Sequence, residues 1–186
     1  MRQLHVHSWI FHTEMSLILC TILLSLVSGQ FKAISSTASN TCAGAPGVSV
    51  IFNDKHCRPV RCVQDTSSRD DLKFVEIECA SDWESYVKTK FASAPAPVIV
   101  QQLFLHRGCD GEPNQILARV SGVCHASVKY TLQNDGSILI ETWRPSVLSC
   151  AGAPAASRTV SKDLVNGQCH IISKYSIINT SQGITM

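Results

Sequence analysis

Cys42-Ala43-Gly44-Ala45-Pro46, Cys109-Asp110-Gly111-Glu112-Pro113 and Cys150-Ala151-Gly152-Ala153-Pro154 repeat one pattern, Cys-x-Gly-x-Pro, in a chain with only 10 Gly and 7 Pro. Glycine accepts the positive φ of a tight turn, and proline fixes φ ahead of the next extended segment. The motif therefore encodes a corner between two strands, tied down by a cystine. A second cysteine follows each copy: Cys57, Cys124 and Cys169 lie 15, 15 and 19 residues after the first. Pairing neighbours predicts Cys42–Cys57, Cys109–Cys124 and Cys150–Cys169, and leaves Cys62 and Cys79 to close a loop of 17.

The cysteine count supports cystines once the N-terminus is considered. From Met15 to Val27 the chain is apolar and uncharged, with Leu17, Ile18, Leu19, Ile22, Leu23, Leu24 and Leu26, and it runs into the small residues Val27, Ser28 and Gly29. This predicts a signal peptide over residues 1–29, cleaved before Gln30, and hence a secreted, extracellular protein with no later membrane span. Cys20 leaves with it, so 9 cysteines become an even set. An even set in an oxidising compartment is what a disulfide framework requires. Each closed loop of about 15 residues contributes on the order of 3 kcal/mol, which rivals a small domain's net stability when several act together.

The last two copies match beyond the second cysteine. Cys124-His125, Lys129-Tyr130 and Asn134 correspond to Cys169-His170, Lys174-Tyr175 and Asn179 at a constant offset of 45. If each segment is one continuous strand, Cys124, Ala126, Val128, Tyr130 and Leu132 share a core face, and His125, Ser127, Lys129 and Thr131 share the other. Cys169, Ile171, Ser173, Tyr175 and Ile177 repeat the core face. His125 with Lys129, and His170 with Lys174, then form the candidate binding surface, a basic strip suited to an anionic glycan.

Other stretches also read as strands. Val98–His106 is apolar on both faces, and Ile138–Trp143 follows the hairpin-type turn Asn134-Asp135-Gly136. Ser81-Asp82-Trp83-Glu84 resembles a capping box before Trp83, Tyr86, Val87 and Phe91, so one short helix is predicted near 82–91. The fold class is mainly β: disulfide-stapled antiparallel hairpin repeats, comprising a divergent first repeat with an extra cystine loop and linker (30–97), a second (98–143) and a third (144–186).

Sixteen Lys+Arg against 14 Asp+Glu give no basic footprint for nucleic acid. No Gly-x-Ser-x-Gly or His-Glu-x-x-His occurs, and eight paired cysteines leave no thiolate for catalysis or metal binding. Asp110 and Glu112 stand where both other copies carry alanine, so the scaffold does not need them and a ligand contact is possible there. Carboxylate pairs at Asp70-Asp71, Glu76/Glu78 and Asp110/Glu112 leave room for a small hydrolase. Asn179-Thr180-Ser181 is a glycosylation sequon.

The Cys-x-Gly-x-Pro turn, strand, second cysteine and further strand resemble the short cysteine-rich repeats of secreted proteins and receptor-kinase ectodomains of oomycetes and amoebae, mainly over residues 104–186. That resemblance implies an extracellular, non-enzymatic module. The sequence as a whole predicts a secreted binding protein for an extracellular glycan or protein at a cell surface, wall or foreign protein, with no cofactor and no metal. Its alternatives are a secreted protease inhibitor and a hydrolase using paired carboxylates.

Overall fold

The computed structural model describes residues 31–179 apart from 67, 69, 70 and 148, and the backbone of Gly183–Ile184. The expected signal peptide therefore lies outside the described residues, as do Asp70 and the Thr180-Ser181 part of the sequon. The chain is mainly β, with antiparallel sheets and, among the described residues, one α-helix and four cystines. Its strands are β1 (Phe31–Thr37), β2 (Val48–Asn53), β3 (Val60–Gln64), β4 (Phe74–Ala80), β5 (Val98–Leu103), β6 (Gln115–Val120), β7 (Cys124–His125), β8 (Val128–Leu132), β9 (Ile138–Thr142), β10 (Ala156–Val160), β11 (Ser173–Asn179) and β12 (Gly183–Ile184). The helix α1 (Trp83–Lys90) lies between β4 and β5. An eight-stranded sheet runs β12-β11-β5-β6-β2-β1-β4-β3, and a four-stranded sheet runs β10-β9-β8-β7. Strands from 30–97, 98–143 and 144–186 all enter the larger sheet, so it is shared by the three sequence segments.

Each Cys-x-Gly-x-Pro motif joins two strands of a hairpin: β1–β2, β5–β6 and β9–β10. The three corners have one conformation. Cys42, Cys109 and Cys150 sit at φ of 52°, 56° and 51°, and Gly44, Gly111 and Gly152 at 84°, 79° and 74°. The glycines thus meet the expectation, and the cysteine preceding each one shares the left-handed region.

The third strands are exchanged. β8, which follows the β5–β6 hairpin, pairs with β9, with Tyr130 opposite Ile140. β11, which follows the β9–β10 hairpin, pairs back onto β5, with Tyr175 opposite Gln101. Equivalent hydrogen bonds recur on both sides of this exchange. Gly122 N–H donates to Tyr130 O at 2.8 Å and Gly167 N–H to Tyr175 O at 2.9 Å; Trp143 N–H donates to Ser127 O and Phe104 N–H to Ile172 O, both at 2.8 Å. Two copies of one three-stranded unit therefore clasp each other by trading a strand.

The cystines follow the exchange, which corrects the neighbour pairing. The bonds are Cys42–Cys62, Cys57–Cys79, Cys109–Cys169 and Cys124–Cys150. Cys109 and Cys124 flank the six residues of β6, and a strand of that length spans roughly 20 Å, far beyond the ~7 Å Cα limit of a cystine. The 15-residue interval runs along a strand and does not close a loop. Cys42 and Cys57 likewise flank β2, and Cys150 and Cys169 flank β10. In the exchanged arrangement Cys109 and Cys169 bring their Cα atoms to 5.7 Å, and Cys124 and Cys150 to 5.9 Å. In the first unit β4 returns to pair with β1, and both cystines stay within that unit.

Two cores result. One lies under α1, where Val87 and Phe91 pack on Phe31, Ala33, Ile51, Val98, Val100, Ile116 and Ala118. The other lies between the sheets, from Ile99, Tyr130, Ile138, Ile140, Val160 and Tyr175. β5 supplies both, which explains a strand apolar on its two faces. The helix starts one residue later than the capping-box reading: Asp82 is the N-cap, and its carboxylate accepts the Ser85 N–H at 2.7 Å. Hydrogen bonds from the Ser85 side chain and then its backbone N–H hold the Asp82 carboxyl below its usual range.

Candidate functional site

The expected basic strip does not form. A two-residue turn, Ala126-Ser127 at φ of 49° and 62°, separates β7 from β8, where a continuous strand was expected. His125 then stands opposite Val128, and Cys124 opposite Lys129. Residues opposed across an antiparallel pair share a face, so His125 belongs with Val128 and points away from the Lys129 side. A two-residue turn also stands at Ile171-Ile172, where Ile171 has positive φ and Ile172 does not, with His170 bridged to Ser173 and Lys174 on the other face. Each lysine instead packs on an aromatic ring contributed by the other unit. Lys129 Nζ lies 5.1 Å from the Trp143 ring and 2.9 Å from Glu141, and Lys174 Nζ lies 5.0 Å from the Phe104 ring. These cation–π contacts brace the exchanged strands.

The aromatic residues face inward too. Trp143 is buried and donates its indole N–H to Gly152 O at 3.1 Å, holding the third motif turn. Tyr130 and Tyr175 meet at Gln101, whose Nε2 donates to Tyr175 OH at 2.8 Å, and the Arg119 guanidinium lies 4.9 Å from the Tyr130 ring. Burial raises Tyr175 and lowers Arg119 from their ordinary pKa values. None of Trp143, Tyr130 and Tyr175 offers a sugar-stacking face.

Asp110 and Glu112 are exposed on the second motif turn, and Glu112 accepts a hydrogen bond from Asn53 Nδ2 at 2.7 Å, which ties that turn to the end of β2. No group of three His, Cys, Asp or Glu suited to a metal ion occurs among the described residues. Asn179 ends β11 and is half-buried.

Glu76 and Glu78 do come together, on one face of β4, but Lys90 of α1 sits between them. Its Nζ contacts Glu76 and lies 2.6 Å from Glu78. The lysine occupies the space that a water or a scissile oxygen needs between two catalytic carboxylates. Tyr86 OH donates to Glu78 at 3.1 Å and meets Ser35 Oγ at 2.8 Å, and Ser35 bonds Ser49 at 2.6 Å. Burial pushes the Tyr86 phenol up to about 12. Burial also pulls Lys90 down, but its hydrogen bonds to Glu76 and Glu78 outweigh that and leave it raised. An open depression of about 570 Å³ lies alongside, lined by Gly44, Asp82, Ser85, Tyr86 and Lys90 among others. The chain of polar contacts fastens α1 to the sheet.

No family model, curated protein or solved structure matches this chain.

The feature that strand alternation concealed is a hairpin tip. Ile171 was expected on a core face; it is instead 70% exposed, beside Ile172 at 42% and Leu105 at 73%. Phe104 N–H and Gly108 N–H donate to Ile172 O and Ile171 O at 2.8 and 2.9 Å, so the 105–108 loop and the 171–172 turn form one tip, stapled by Cys109–Cys169. In the other lobe the corresponding turn carries an exposed Ala126 and a buried Ser127, and Arg144 follows Trp143 in a loop two residues longer, from Trp143 to Cys150 against Phe104 to Cys109.

Proposed function

We propose that this chain is a secreted, non-enzymatic binding protein that works at a cell surface or on a foreign protein, presenting contact residues on cystine-stapled β units. The observation that carries the proposal is the tip of Leu105, Ile171 and Ile172, which displays three exposed aliphatic side chains that neither core uses. Large apolar residues exposed together mark interaction sites. Four cystines suit an oxidising compartment, and they hold the tips rigid without help from a large core. No helix among the described residues is long and apolar enough to cross a membrane. Because Trp143, Tyr130 and Tyr175 are packed inside, an aliphatic contact is better supported than a stacked glycan.

The test is retention of the oxidised, labelled chain on intact cells, alongside glycan-hydrolysis and protease-inhibition panels. Saturable retention without turnover is expected. Hydrolysis that disappears in a Glu76→Gln/Glu78→Gln variant would overturn the proposal.

A further inference from the structure

We infer that the tip formed by Leu105, Ile171 and Ile172 docks onto a lipid surface bearing anionic headgroups; this rests on the binding reading above and names its partner. Three observations converge on it.

The first is cost. Ile171 holds φ at 63°, a region that a β-branched residue rarely enters and that Asn, Gly or Ala occupies more easily. The equivalent turn in the other lobe uses Ala126-Ser127. An isoleucine that is both strained and 70% exposed serves neither local conformation nor core packing.

The second is shape and composition. The side chains stand on a convex tip made of two short segments held together by Cys109–Cys169, so they protrude and do not line a groove. Protein hot spots favour Trp, Tyr and Arg, and leucine is under-represented in them. Aliphatic side chains with basic neighbours are the composition of a segment that enters the headgroup boundary.

The third is charge. Exposed His106 and Arg107 share the loop with Leu105. Lys174 stands over Phe104 at the base of the tip, and His170 flanks the turn. Asp110 folds its carboxylate back towards Gly108, and Glu84 lines the depression that also takes in Lys174. Arg107 is therefore the fixed cation exposed beside the aliphatic side chains, and it complements anionic headgroups, whose field attracts a nearby cation.

The test is co-sedimentation of the full oxidised chain with phosphatidylcholine vesicles, with and without added phosphatidylglycerol. It is run beside retention on cells before and after surface proteolysis. Expected is partitioning that rises with phosphatidylglycerol and survives shaving of cell-surface protein. It should fall about tenfold for each aliphatic residue removed in Leu105→Ser, Ile171→Asn and Ile172→Ser. Arg107→Ser should flatten the dependence on phosphatidylglycerol. Ile171→Asn keeps this interpretable, because Asn suits the turn and the variant folds. Retention on cells that is abolished by shaving, with no vesicle binding, would assign the tip to a protein partner; it would overturn the lipid inference and leave the binding function standing. Absence of both retention and partitioning would overturn the two together.

Discussion

Replacing Ile171 by asparagine should stabilise the protein, although it removes an apolar side chain. The left-handed region costs an ordinary L-residue about 1–2 kcal/mol, and a short polar side chain largely escapes that cost. Against this stands the buried share of Ile171. With 70% of the residue exposed, less than a third of a full isoleucine burial is lost, roughly 0.5–0.9 kcal/mol when full burial is taken as about 1.5–3 kcal/mol. The net expectation is a gain of about 0.5–1 kcal/mol, or some 1–4 °C in Tm for a chain of this size. Urea denaturation with the cystines intact measures it as a shift of midpoint at unchanged slope. The reciprocal variant Ala126→Ile adds β-branching at φ of 49° in the other lobe, where the alanine Cβ already bears the left-handed cost, and should destabilise by up to about 1 kcal/mol. A loss of stability in Ile171→Asn would refute the reasoning, since it would mean that the isoleucine is held by packing and is not strained and displayed.

Other consequences can be measured on the same material. Phe91→Ala empties the core under α1, where Phe91 is 1% exposed, and should cost about 3–5 kcal/mol by denaturant titration; a cost under about 1 kcal/mol would show the helix to be loosely docked. Tyr86 ionises at about 12 in the folded chain against 10.0 for an ordinary tyrosine. With its folded value raised, its stabilising contribution is complete below pH 10 and is lost as pH rises towards 12, up to about 2–3 kcal/mol in total. Ultraviolet titration of phenolate should show a step near pH 12 that Tyr86→Phe abolishes, and ionisation of Tyr86 at the ordinary value would contradict its burial under the helix. Trp143→Ala removes the ring under Lys129 and the donor to Gly152, and should cost about 3–5 kcal/mol with local loosening at Cys150 visible in hydrogen exchange; protection equal to the parent's would deny the ring that role.

Local features were readable from the sequence because local chemistry decides them. The three motif glycines needed positive φ, the helix was written in Asp82, Val87 and Phe91, and the double-sided apolarity of Val98–His106 marked a covered strand, which ends at Leu103. The hairpin turn at Asn134-Asp135-Gly136 was equally local, with Gly136 at φ of 86°. What escaped was non-local or hinged on a single turn. An interval of 15 residues between cysteines fits a loop or a strand equally well, and only the partner of β8 and β11 decides between them. The two-residue turns at Ala126-Ser127 and Ile171-Ile172 carry no Asn-Gly or Gly-Gly signal, so His125 and His170 were placed on the wrong face, and Ile171 was placed in a core. The discordant Ile171-Ile172 pair, apolar on both faces where the equivalent Ala126-Ser127 is small, was the signal available for the tip.

The exchange of strands, on which the shape of the tip depends, is tested most directly by peptide mapping of the unreduced protein. Trypsin cuts after Arg107, Arg119, Lys129, Arg158, Lys162 and Lys174, which places Cys109, Cys124, Cys150 and Cys169 on separate peptides. The exchanged fold requires Gly108–Arg119 linked to Asp163–Lys174, and Val120–Lys129 linked to the peptide carrying Cys150. Recovery of Cys109 joined to Cys124, and Cys150 joined to Cys169, would contradict it.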